Sequence, residues 1–228
     1  ISSVGVGVTS AGGTGTLYID KTDDNYGLGE NITFHANAED NIALGENALN
    51  STTGAALKNI GIGTDVLTTL ITGDNNVVLG YNAMSDLDAS DNIGDSSGNT
   101  VLGSYAMSGS VSTSTANLAI NNCVVVGYQS LMGALSGAGP SGTVAIGASA
   151  LRVLTSGAGN TAIGYEGLKS ITGAVGNTVL GHQAGRLLDH DDADYNVAIG
   201  YQSMLSANTG NQAYHNTAIG SSTLGAIT

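Results

Sequence analysis

A polar residue followed by a mostly apolar triplet and a glycine makes a short phrase that recurs along the chain. The phrase is an Asn, a Thr, Val or Ile, a small apolar residue, an Ile or Leu, and a Gly; Asn160-Thr161-Ala162-Ile163-Gly164 is the plainest copy. Eleven copies end at Gly29, Gly45, Gly63, Gly80, Gly103, Gly127, Gly147, Gly164, Gly181, Gly200 and Gly220, spaced 16 to 24 residues apart. A phrase at a period of about twenty residues is the mark of a solenoid or stacked array. The residues one and three before the Gly share one face of a strand of period two, and the small, mostly apolar residue between them makes it a parallel strand buried on both faces. The aliphatic residue before each Gly is read as the stacked core. The small residue one step earlier then becomes a second buried face, which needs a partner chain or the chain's own next segment against it.

After each Gly come two variable residues, a small residue, and Leu or Met, as in Ala83-Met84, Ala106-Met107 and Ala150-Leu151. A further aliphatic follows three later at Leu70, Leu87, Leu154, Ile171 and Leu188, a spacing that predicts a short helical or 3₁₀ turn. Gly-containing turn signals close several coils, such as Thr53-Gly54, Thr72-Gly73 and Ser156-Gly157. The expected fold is all-β, a parallel β-solenoid (β-roll-like) of about eleven coils over 25–228. Residues 1–24 form a lead-in segment with a short strand. One coil buries too little to fold alone, so stability must come from stacking.

Asn stands four residues before the Gly at Asn25, Asn41, Asn59, Asn76, Asn99, Asn160, Asn177, Asn196 and Asn216, while Cys123 and Thr143 fill that place in the other two copies. In register, such Asn side chains can hydrogen-bond from coil to coil as a ladder. Directly after the Gly stand Tyr81, Tyr128, Tyr165, His182 and Tyr201. Stacking would align them on one edge, either as a glycan-contact row or simply as coil-to-coil aromatic packing.

Composition narrows the functions. The net charge is -13 with five Lys and Arg in 228 residues, which excludes a phosphate-binding nucleic-acid surface and disfavours anionic membranes. Hydrophobic residues make up 41%, too many for a solvated coil, and no apolar run is long enough for a membrane span. The single cysteine, Cys123, allows no intrachain disulfide and has no His beside it, so it is read as structural. Asp189-His190-Asp191-Asp192-Ala193-Asp194 is the densest polar run, a weak candidate for Ca²⁺ and more simply a solvated loop tip. Gly12-Gly13-Thr14-Gly15 lacks the Lys of a phosphate loop, and no nucleophile elbow occurs. Neither catalytic residues nor a cofactor is therefore expected. Thr100, Thr161, Thr178 and Thr217 are too few for an ice-ordering row.

The run Asn160-Thr161-Ala162-Ile163-Gly164-Tyr165-Glu166-Gly167-Leu168, repeated as Asn216-Thr217-Ala218-Ile219-Gly220, resembles repeats in phage tail fibres and tail-spike-like proteins. It is also similar to the head domains of trimeric autotransporter adhesins, whose coils carry an Asn-Ser-Val-Ala-Ile-Gly type motif. The resemblance implies a homotrimeric β-roll or β-solenoid on a virion or cell surface, used for attachment to a host glycan or protein. The repeats here are longer than those of the adhesin heads, which favours the fibre. A filament-forming extracellular subunit assembling end to end through open strand edges is the alternative.

Overall fold

The computed structural model describes residues 40–50, 56–70, 72–85, 96–109, 120–133, 139–188, 193–205 and 214–225. The chain divides into two compact units, Ile1–Phe34 and His35–Thr228, and the described residues belong to the second. The lead-in segment and the phrase at Asn25–Gly29 lie outside them.

Ten three-residue strands form one parallel sheet in chain order: β1 (Ile42–Leu44), β2 (Ile60–Ile62), β3 (Val77–Leu79), β4 (Thr100–Leu102), β5 (Val124–Val126), β6 (Val144–Ile146), β7 (Thr161–Ile163), β8 (Thr178–Leu180), β9 (Val197–Ile199) and β10 (Thr217–Ile219). Every phrase from Asn41 onward supplies one strand, and equivalent positions pair without slippage, as in Ala162↔Val179 and Ile163↔Leu180. The protein is thus an all-β parallel solenoid with one sheet strand per coil. At about 4.8 Å between paired strands, ten coils stack over roughly 43 Å.

Each strand divides its three residues between two environments. The middle residue enters the lumen: Val78, Val101, Val125, Ala145, Ala162, Val179 and Ala198 are fully buried. Its neighbours on either side face outward and are half-buried or exposed, with Leu180 47% accessible. This corrects the expectation for the aliphatic before the Gly, which is not the stacked core. The core row is the small residue between, because the lumen is narrow and Val or Ala fills it. The large apolar side chains come from elsewhere in the coil. Leu67, Met84, Met107, Leu131, Leu151 and Leu168, four residues after the Gly, meet Leu154, Ile171 and Leu188, seven after it.

The segment after the Gly forms hydrogen-bonded turns, and the described residues contain no helical or 3₁₀ turn. Left-handed and right-handed residues alternate there instead. Glu166 and Leu168 have φ of 53° and 46°, and their counterparts in the other coils behave alike. The alternation turns successive amides toward opposite neighbours. Glu166 N–H donates to Ala148 O of the preceding coil at 3.0 Å, and Leu168 N–H donates to Ala184 O of the following coil at 3.0 Å. A helix would close these bonds within the coil; stacking spends them between coils. Left-handed Leu or Met costs on the order of 1–2 kcal/mol, offset by burying the side chain, worth roughly 1.5–3 kcal/mol.

The repeat Gly has φ between 123° and 141° in all ten described coils. A Cβ on Gly103 would lie 2.6 Å from the carbonyl oxygen of Gly127 in the next coil. Glycine is therefore required twice over, by its own backbone and by the close approach of its neighbour.

Candidate functional site

Several longitudinal rows follow from this register: an internal Asn row, an external aliphatic pair of rows, and an aromatic row with polar and cationic rows beside it.

The Asn side chains lie inside the coil and link in series. Asn99 donates through both its backbone N–H and Nδ2 to Asn76 Oδ1, each at 3.0 Å, and its Nδ2 also reaches Ile120 O at 2.7 Å. Asn76 does the same toward Asn59 Oδ1 and Ser96 O, and Asn59 N–H donates to Asn41 Oδ1 at 2.8 Å. Each Asn thereby satisfies a buried loop carbonyl and a buried amide of the next coil, which are otherwise costly to bury. The series runs in two stretches, Asn41–Asn99 and Asn160–Asn216. Cys123 ends the first stretch: its N–H donates to Asn99 Oδ1 at 2.9 Å and its Sγ to Pro140 O at 3.3 Å, but it offers the next coil no carbonyl. Burial pushes the Cys123 thiol up, consistent with an unreactive side chain. At the next step Thr143 Oγ1 is buried without a hydrogen-bond partner.

The outward rows are mainly aliphatic. Of the twenty outward positions on ten strands, sixteen are Ile, Leu or Val and four are Thr100, Thr161, Thr178 and Thr217. The strip is about 10 Å wide and over 40 Å long, roughly 400 Å² of mostly apolar surface.

The residues just after the Gly are exposed and aligned. Tyr165, His182 and Tyr201 stack face to face, with ring centroids 5.2 and 5.4 Å apart. Tyr81 and Tyr128 do not touch each other. Tyr105, one place further along its coil, stands between them in edge-to-face contacts of 5.3 and 6.3 Å. The Tyr105 hydroxyl is also what pushes the Tyr81 phenol up. Sequence reasoning placed Tyr105 in no row; its position two after the Gly, beside Ser104, was the available signal. Ala148 separates the two aromatic groups.

A polar row runs beside the stacked aromatics. Gln202 Nε2 donates to Gln183 Oε1 at 2.8 Å, and Gln183 Nε2 to Glu166 Oε2 at 2.9 Å. Glu166 is nearly buried and pairs with Lys169 Nζ at 2.6 Å and Arg186 Nε at 2.7 Å. The Lys169 ammonium, first, and then the Gln183 amide hold its carboxyl below the ordinary range.

No group of three or more His, Cys, Asp or Glu side chains converges for a metal ion among the described residues. Of the acidic run, residues 189–192 lie outside them, while Asp194 Oδ1 accepts the Val175 N–H at 2.7 Å. No helix of the described residues is long and apolar enough to cross a membrane. No protein-family model, curated protein or solved structure matches the chain.

Proposed function

We propose that this chain is a non-catalytic structural fibre protein that packs as a homotrimer and mediates attachment to a host or cell surface. Its place would be on a virion, as in a tail-fibre shaft, or outside a cell. The observation that carries the reading is the outward aliphatic strip. Sixteen Ile, Leu and Val side chains in two straight rows hold water against a rigid surface, and the largest apolar patch on a chain, commonly about 300–600 Å², is often a functional one. Identical chains present identical strips, so self-association around a symmetry axis buries all of them at once. The number three rests on the resemblance to fibre and adhesin repeats.

Native mass spectrometry tests the proposal. A species of three times the 22.5 kDa chain mass is expected, and Ile163→Glu, on the strip, is expected to dissociate it. A wild-type monomer at micromolar concentration would overturn the proposal. Indefinite filaments in electron micrographs would instead favour an extracellular subunit assembling end to end.

A further inference from the structure

Between Tyr81 and Tyr201, with Tyr105 counted in, the aromatic row has one gap. Backbone hydrogen bonds set the register there: Ser149 N–H donates to Tyr128 O at 2.9 Å and Glu166 N–H to Ala148 O at 3.0 Å. Tyr128, Ala148 and Tyr165 therefore occupy equivalent places in three successive coils. One face of Tyr165 is covered by His182 at an interplanar angle of 28°. The other face looks along the row toward Ala148, whose side chain is a single carbon. Tyr128 stands on the far side of the gap, two coils away from Tyr165 and so about 9–10 Å along the row. Both tyrosines are about half exposed, at 52% and 47%. A slot of this width, with an aromatic face on one wall and a small floor, admits one saturated six-membered ring.

The same coil carries Arg152, which has no acid partner among the described residues. Three of the five Lys and Arg in this acidic chain, Arg152, Lys169 and Arg186, stand five places after the Gly in consecutive coils. Leu151 N–H to Gly167 O and Leu168 N–H to Ala184 O keep those coils in step. Lys169 and Arg186 both reach Glu166, which adjoins Tyr165 in the chain, so the cationic row runs beside the aromatic one. Arg186 Nε lacks an aligned hydrogen bond but has that carboxylate at 2.7 Å. Arg152 Nε is equally closed to solvent and has neither a hydrogen bond nor an acid among the described residues. Arg152 is half-buried overall, so its terminal Nη donors are what it offers a carboxylate.

We propose that the slot between Tyr128 and Tyr165, floored by Ala148 and flanked by Arg152, binds a pyranose ring bearing a carboxylate, the terminal or branch residue of an acidic surface glycan. The ring stacks on the open face of Tyr165 and the carboxylate meets the Arg152 guanidinium. This deepens the attachment reading and rests on it, because a surface glycan is the ligand such a fibre would meet.

Saturation-transfer NMR on the intact oligomer, with methyl galacturonide, methyl glucuronide and N-acetylneuraminic acid against neutral methyl galactoside, tests the assignment. At least one acidic sugar is expected to bind about tenfold or more tightly than the galactoside, the discrimination a charge-assisted bond supplies. Ala148→Tyr closes the gap with the residue that four other coils already carry there, and is expected to abolish binding with the melting temperature unchanged. Arg152→Gln is expected to reduce the acidic sugar to the galactoside level, and Tyr81→Ala to change nothing. The assignment fails if none of the three acids binds, if acid and neutral sugar bind alike, if acetate competes as well as the sugar acid, or if Ala148→Tyr binds normally. None of these variants lies on the aliphatic strip, so a trimer that ignores acidic sugars overturns the slot alone, and a monomer that binds them overturns the trimer alone.

Discussion

Ala162 and Ile163 are neighbours in one strand, yet they live in different solvents. Ala162 is wholly inside the lumen, whereas Ile163 faces outward beside Ile146 and Leu180. The larger, more apolar residue is the one left outside. The same inversion holds at Val179 and Leu180, and at Ala198 and Ile199. A single coil is too thin to bury two faces of one strand, so the inner row stabilises the chain and the outer row is left to bury something else. Folding and association are thereby assigned to alternate residues.

The largest effect should come from exchanging the two environments. Val179→Asp buries an unpaired carboxylate in the lumen and is expected to cost more than about 4 kcal/mol, seen as loss of the cooperative transition in circular dichroism. Leu180→Glu, one residue away, should leave that transition in place and lower only the oligomer mass; equal unfolding by both would remove the distinction. Next comes the corner. Gly103→Ala combines φ of 139° with the collision against Gly127 O, and about 3 kcal/mol or more should be lost in denaturant titration.

The polar rows extend the comparison. Asn76→Ala strands the buried Asn99 amide and the Ser96 carbonyl, at a cost of about 2–4 kcal/mol. Ser104→Ala removes an exposed bond to the Tyr81 carbonyl and should stay within about 0.5 kcal/mol. Similar losses for the two would show that the inner row owes nothing to burial. Thr143→Asn replaces a buried unpartnered hydroxyl with a rung of matching size, and a gain of about 1 kcal/mol is expected in the same titration. The smallest effect belongs to Glu166. Its carboxyl is held below the ordinary value of about 4.5, so the stability it contributes is present above that pH and is lost as pH falls through the lowered value. Glu166→Gln should therefore lower the melting temperature slightly at neutral pH and converge with the unsubstituted chain as pH falls below 4.5, flattening this part of the profile.

The strands and their order were legible because Asn and Gly recur in register with Ile or Leu between them, and parallel stacking is the arrangement that keeps each Gly against the next. The segment after the Gly was not legible. Leu168 and Ile171 sit at helical spacing, and nothing local announces that Glu166 and Leu168 adopt left-handed conformations that direct their amides to neighbouring coils. Tyr105 was missed for a related reason: it stands one place off the aromatic row and fills it only because adjacent coils bring Tyr81 and Tyr128 within reach.

By itself the sequence determined the repeat, the all-β class and the places where only Gly or Asn will serve, because these depend on residue type at a fixed phase. Which face of the strand points inward was decided by the tertiary structure, since both faces are apolar and only the width of the lumen tells Ala162 from Ile163. The sequence places Arg152 in the same coil as Ala148, but only the tertiary structure shows that it has no acid partner among the described residues. That depends on how neighbouring coils stack, where Glu166 turns to Lys169 and Arg186 instead.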